Sequence, residues 1–275
     1  MTTAIHITDH LADEDIPQFL PDMMIKILAT IDENQKPNLV FINSFEAKDN
    51  KTLMFAEFIY GKSKKNLEKN IKCAVNFLTL DNNNWIVKGD FTHWEYEGKN
   101  YEYFNLKPLF KNNAYTGITR VGLIDVKKVI APNTAVKTDR KIAKIIKNFV
   151  KEGKADSNKP NIMPTMVEKI FKAKSNLKFI SYIDEDGYPM IIPTMELLPV
   201  NRNRLVFTPS ILQDAFLKIK PGTFMACYGM SLEIMMYLVR GTFQGIQEYG
   251  GISIGTLDIE EVYCSMAPKA GDRIV

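Results

Sequence analysis

The sequence predicts a mainly β protein with added helix (α+β), built as two tandem antiparallel barrel repeats joined by a helical connector. Three observations carry that prediction. IDENQKP at 31–37 returns as IDEDGYP at 183–189, LMF at 53–55 returns as LVF at 205–207, and IVKGDF at 86–91 returns as LVRGTF at 238–243, all at one spacing of 152 residues. Hydrophobic strands resemble one another by chance, but they rarely hold one register over such distances, so duplication fixes the organisation first. KNLEKNIKCAVNF aligns best with AFLKIKPGTFMAC at a local spacing of about 150, which predicts a small loop insertion. IDVKKVIAP at 124–132 resembles LDIEEVYCS at 257–265 at a shorter spacing. The expected domains are a first repeat over 1–132, a connector over 133–175 and a second repeat over 176–275.

After an acidic lead in which DEDIPQFL suggests a short helix started by Asp13 or Asp15, IKILATI at 25–31 alternates in strand fashion and ends in the turn. LKFISYI copies it in the second half. PNLVFINSFEA and PMIIPTMELLP return from turns whose Asp, Asn and Gly residues tolerate tight geometry. KTLMFAEF and NRLVFTPS supply a third strand each. KSKKNLEKN predicts one short helix, and KCAVNFLTL and NNWIVKGDFTHWEYEG predict further strands; short strands with one helix between the third and fourth describe a small antiparallel barrel. Glu95, Glu97 and Glu102 are expected on polar faces of hairpin strands. DRKIAKIIKNFVKEG places Ile142, Ile145, Ile146 and Phe149 at helical spacing, and MPTMVEKIFKAK does so with Met166, Ile170 and Phe171. This connector is basic on its outer face, which is expected to be solvated, and Pro160 and Pro164 mark the boundary before the second repeat.

Bulk composition excludes several classes. With 35 basic against 32 acidic residues the net charge is only +3, so no global basic field argues for nucleic acid. Cys73, Cys227 and Cys264 are odd in number and far apart, which fits small buried side chains in a reducing cytoplasm. The polar, acidic start carries no secretory pattern, and no stretch approaches the ~20 apolar residues that cross a bilayer. A cytoplasmic protein without membrane or nucleic-acid partners is expected.

The most informative segment is FAEFIYGKSKKNLEKN at 55–70. A strand ends near Phe58, Gly61 turns the chain, and Lys62, Ser63, Lys64 and Lys65 arrive together at a helix start. A helix N-terminus presents unpaired N–H groups and a positive dipole end, to which lysines add charge and a serine adds a donor. Those are the requirements of a phosphate site. Cations are otherwise unfavourable at that end, which makes the run more suggestive of a bound anion.

The order ILATIDENQKP, NLVFINSF, TLMFAEF, GKSKKNLEKNIKCAVNF and WIVKGDF resembles the flavin-binding split barrels related to pyridoxamine 5′-phosphate oxidase, over residues 20–131. The resemblance implies flavin mononucleotide (FMN) as cofactor, with its phosphate held by Lys62, Ser63, Lys65 and Asn66. Asn43, Ser44, Glu57 and Phe58, at the preceding strand ends, are implied as contacts of the isoalloxazine ring. Members of that family are commonly homodimers with flavin at the subunit interface, so two repeats in one chain imply a pseudo-dimer, alongside a homodimer of chains. In the second repeat LQDAFLKI stands where the first has YGKSKKNL, and Gln213 and Asp214 replace Gly61 and Lys62. An aspartate there repels a phosphate, so at most one flavin per chain is expected.

The implied function is an FMN-binding oxidoreductase passing electrons or hydride to a small molecule or carrier. The alternative is a non-catalytic protein that holds flavin, a deazaflavin or heme, and a third reading is a barrel pair without cofactor. Pyridoxamine phosphate oxidation itself is not expected, because VYCSMAPKAGDRIV shows no sign of that enzyme's substrate-binding region. No GxGxxG is present, so a nicotinamide donor would visit as a substrate. No catalytic residue stands out. His93 is expected on a surface hairpin, and the pair His6 and His10 with Asp9 between them lacks an evident third metal ligand.

Overall fold

The computed structural model describes residues 6–20, 24–108, 117–134, 140–152, 160–208, 212–266 and 271–275. Its first half runs β1 (His6–Thr8), a 3-10 turn (Ile16–Phe19), β2 (Ile25–Ile31), β3 (Pro37–Phe41), β4 (Glu46–Ala47), β5 (Thr52–Glu57), α1 (Lys62–Lys69), β6 (Lys72–Leu78), β7 (Asn83–Glu95), α2 (Lys99–Leu106) and β8 (Arg120–Thr134). Two helices follow, α3 (Arg140–Lys151) and α4 (Thr165–Lys172). The second half is β9 (Leu177–Ile183), β10 (Pro189–Pro193), β11 (Leu197–Pro199), β12 (Arg204–Phe207), α5 (Gln213–Leu217), β13 (Phe224–Met230), β14 (Met236–Tyr249) and β15 (Ile252–Cys264).

The first sheet has the order β3-β2-β6-β7-β8-β5-β4 with β1 added on β8, and the second has the order β10-β9-β13-β14-β15-β12-β11. Strand for strand these are the same split-barrel topology, with one helix between the third and fourth long strands of each. Chain contacts divide the molecule into two compact units. The first holds residues 1–35, 41–135 and 184–190, and the second holds 36–40, 136–183 and 191–275.

The register explains the recurring motifs. Gly89 and Gly241 stand at bulges of β7 and β14, where the pairing with β8 and β15 shifts. A Cβ on Gly89 would lie 2.5 Å from the Asp125 carbonyl oxygen, and one on Gly241 only 1.8 Å from that of Asp258. Backbone approach therefore demands glycine in both KGDF and RGTF. The first turns also match. Gln35 N–H donates to the Asp32 carbonyl (3.0 Å) and Gly187 N–H to that of Asp184 (2.9 Å), with φ at +56° and +78°.

The spacing of 152 holds through β6 and β13, since Cys73 faces Gly89 just as Met225 faces Gly241. The local spacing near 150 expected for that strand is thus corrected. The expected loop insertion is absent, because the spacing is 152 both before the helix, from Phe55 to Phe207, and after it, from Cys73 to Met225; only the helical share of the stretch differs, eight residues in α1 and five in α5. After β7 the spacing falls to 133, as Gly122 faces Phe55 and Gly255 faces Phe207. The surplus in the first half contains α2, which puts Glu102 on a helix rather than on the hairpin strand expected of it. Gly250 and Gly251, both at positive φ, make the direct turn in the second half.

The long strands are buried on both faces rather than alternating, with Ile27, Leu28, Val75 and Phe77 buried in the first unit and Phe179, Ile180, Met225 and Val239 in the second. Helix α3 buries Ile146 and Phe149 against Val206 and Ile254. In α4, Val167, Ile170 and Phe171 are buried whereas Met166 is half exposed, a one-residue correction to the expected apolar face. The outer edges are covered alike. β1 pairs with Val129–Ala131 of β8, and the C-terminal residues bond to Val262 of β15 through Ile274 N–H (2.8 Å) and the Val275 carbonyl (3.0 Å). No helix among the described residues is long and apolar enough to cross a membrane. Cys73 and Cys227 are buried free thiols whose pKa is pushed up by burial, and Cys264 is partly exposed.

Candidate functional site

Helix α1 starts at Gly61, which adopts extended backbone and offers no capping side chain, and its first turn contains no acidic residue. The initial N–H groups are therefore left with three lysines and a serine around them. Asn66 and Leu67 seat the helix. Leu67 is fully buried, and Asn66 Nδ2 donates to Thr30 Oγ1 on β2 at 3.0 Å. Ser63 is buried beside them. Lys62 reaches Asp32, just past the end of β2, with Nζ 3.7 Å from Oδ2. Lys62, Ser63 and Asn66 thus gather along β2, while Lys65 is exposed with Nζ 5.5 Å from the Tyr60 ring centre. Burial lowers the pKa of the Lys64 ammonium, and Glu57 opposes the shift.

The four strand-end residues divide by what they have left to offer. Ser44 Oγ donates to the Ala56 carbonyl (2.8 Å) and accepts from Ala56 N–H (3.1 Å), which ties β4 to β5. Glu57 is buried and accepts from Arg120 Nε and from Thr119 Oγ1 (3.2 Å). Phe58 packs on the cluster of Met54, Ala56, Phe104, Ile118, Val121 and Leu123. Asn43 differs. Its backbone carbonyl accepts from Lys26 Nζ at 3.2 Å, while its side-chain Oδ1 is buried with no hydrogen-bond partner among the described residues. An unmet buried acceptor costs roughly 1–3 kcal/mol, so a ligand N–H there is favourable.

Sequence reasoning missed Arg120. It lies opposite Glu57 across β5 and β8, bonds Glu68 at 3.0 Å, and sits 3.8 Å from the Trp94 ring centre and 5.2 Å from that of Tyr60. Burial works against its charge, but bonds from Glu57, Tyr96 and Glu68 outweigh it and raise the pKa. Tyr60 O–H donates to Glu68 at 2.7 Å, closing the network over α1. Only the register could reveal this set, because residues 57, 68, 94 and 120 share no local pattern.

The second unit departs at each of these points. Helix α5 begins after Leu212 in left-handed backbone, with Gln213 and Asp214 exposed. Lys178 occupies the place of Lys26 and is 1% exposed, but its Nζ has no hydrogen-bond partner among the described residues. Burial lowers its pKa to about 8, against the pull of Glu196, the residue that stands where Ser44 does in the first unit.

Among the described residues no group of three or more His, Cys, Asp and Glu could hold a metal ion. His10 Nδ1 lies 2.7 Å from Asp9, both exposed, and His93 faces Glu95 at 3.5 Å on the surface.

Fold and site define a tandem split-barrel protein whose first unit carries a basic helix start after its third long strand, where the second unit has Gln213 and Asp214. No protein-family model matches the sequence, and no curated protein matches it either. Solved structures do. HupZ of group A Streptococcus aligns at 21% identity over 46% of this chain and 99% of its own, with a TM-score of 0.38. A putative pyridoxamine 5′-phosphate oxidase from Lactobacillus delbrueckii aligns at 17% over 48% and 100%, TM-score 0.37. An FMN-binding protein from Syntrophomonas wolfei aligns at 21% over 45% and 84%, TM-score 0.36.

Proposed function

We propose that the first unit binds FMN and that the protein is a flavin oxidoreductase acting on a small molecule or electron carrier. The observation that carries this reading is the start of α1, where lysines crowd an uncapped, positively polarised helix end. A phosphate accepts from those N–H groups and from Ser63, and it replaces Asp32 as the counter-charge of Lys62. Lys65 adds charge from the solvent side, and Asn66 holds the helix on Thr30. The unmet Asn43 Oδ1 fits the N–H of an isoalloxazine ring, with Lys26 fixing the Asn43 backbone. Ser44, Glu57 and Phe58 shape that wall from within the fold. Bound flavin supplies hydride or electron transfer, and the protein contributes position and polarity.

The test is the visible absorbance of the purified protein, with any released cofactor identified by mass. FMN at one per chain is expected. Lys62→Ala with Ser63→Ala should weaken FMN binding more than tenfold, about 1.4 kcal/mol; unchanged affinity removes the phosphate assignment. Reduction of the bound flavin by a nicotinamide donor supports the oxidoreductase over a protein that only stores or senses it.

A further inference from the structure

Helix α3 carries a charge pattern that the flavin site does not use. Arg140, Lys144, Lys147 and Lys151 follow one another at spacings of four, three and four, which places them within an arc of about 60° along some 17 Å of helix. All four are exposed, and none has an ion pair or hydrogen bond among the described residues. Some exposed lysines elsewhere are paired, Lys51 with Asp9, Lys69 with Glu33 and Lys172 with Glu168, and others, such as Lys99 and Lys218, stand singly rather than in a row. With Lys141, residues 140–151 hold five basic and no acidic side chains. The whole chain sums to +3, so everything outside this helix sums to −2.

Such a stripe has a cost. Like charges three and four apart on a helix repel, and no glutamate within residues 140–151 relieves them. The opposite face is spent, because Ile146 and Phe149 are buried on Val206 and Ile254, with Ile142 and Val150 packed beside them. A helix whose apolar face is already buried cannot lay that face into a bilayer. What remains is a rigid, straight row of free cations.

We infer that the α3 stripe is a docking surface for the sugar-phosphate backbone of a nucleic acid, read without base specificity. Successive cations lie about 5–6 Å apart along the axis, close enough for neighbouring cations to engage successive phosphates of one strand. The sequence alone favoured a solvated face. The absence of any counter-charge along the stripe among the described residues, together with the buried apolar face, favours an anionic partner.

The full-length protein is titrated against fluorescein-labelled duplexes of one mixed sequence, as DNA and as RNA, at several salt concentrations. Binding is expected to one or both, with log K falling linearly in log salt. Lys144→Gln with Lys147→Gln and Lys151→Gln should weaken it more than tenfold at low salt and flatten the slope by about 2.7. The control Lys99→Gln with Lys218→Gln and Lys220→Gln, at exposed positions outside α3, should leave it unchanged. The inference is overturned if neither duplex binds, if the control triple weakens binding equally, or if anionic phospholipid vesicles are bound and the duplexes are not.

Discussion

The two units share a strand order and differ where chemistry would sit. At the bulge both demand glycine, Gly89 and Gly241, because a carbonyl from the neighbouring strand occupies the space of a Cβ. At the helix that follows the third strand, the first unit spends eight residues and a run of lysines and the second spends five residues with Asp214 at the start. Under the barrel, Lys26 has the Asn43 carbonyl, whereas Lys178 has no hydrogen-bond partner among the described residues and feels the field of Glu196. The two units therefore agree in what the backbone requires and differ at positions where side chains alone decide.

The sharpest way to break this comparison is at the shared glycines. Gly241→Ala should cost at least about 3 kcal/mol, since backbone rather than a flexible side chain stands in the way. Gly89→Ala should cost somewhat less, in the order of their clearances. Urea unfolding measures both, and a tolerated alanine at either bulge would dissolve the equivalence.

The buried lysines separate the units next. Lys178→Met with Glu196→Gln removes an amine held near pKa 8 against its ordinary 10.5. A lysine whose folded pKa is depressed destabilises fully below about pH 8, because the unfolded chain binds the proton that the fold rejects. Stability of the parent protein should therefore rise with pH between about 8 and 10.5. The double variant should lose that slope and gain about 2 kcal/mol at pH 7. Lys26→Met should instead lose stability, by about 1 kcal/mol or more, as its bond to Asn43 goes. Thermal melts across pH read all three, and equal behaviour of the two lysines would contradict the contrast.

The smallest effect lies at the turns after β6 and β13. Both close with the same bonds, Asn82 N–H to the Thr79 carbonyl (2.9 Å) and Ile234 N–H to that of Ser231 (3.0 Å), and both hold the donor at positive φ. Asparagine tolerates that conformation and a β-branched side chain does not. Ile234→Asn should stabilise by about 1 kcal/mol and Asn82→Ile should destabilise by a similar amount. Matching melting shifts of opposite sign are the expected result.

Much of this was legible in the sequence because it is local or periodic. The spacing of 152 located the paired hairpins, the alternation of IKILATI and LKFISYI located their strands, and GKSKKNL announced a basic helix start. Helix α2 was missed because KNYEYFNL has the aromatic content of a strand, and its fold follows from Phe104 docking on Met54 and Val121, far away in sequence. Met166 was misassigned because a one-residue rotation of a short helix changes which side chain meets the core.

The sequence by itself determined that there are two copies of one barrel, and that only the first carries lysines and a serine at its helix start. Tertiary structure alone decided how those residues are spent. Ser44 and Glu57 satisfy partners inside the fold, Asn43 keeps an acceptor unmet among the described residues, and Arg120 locks Glu57 to Glu68. The physical reason is that backbone demands repeat with the chain and can be read along it. Whether a polar atom has a partner depends on strands brought together from distant positions.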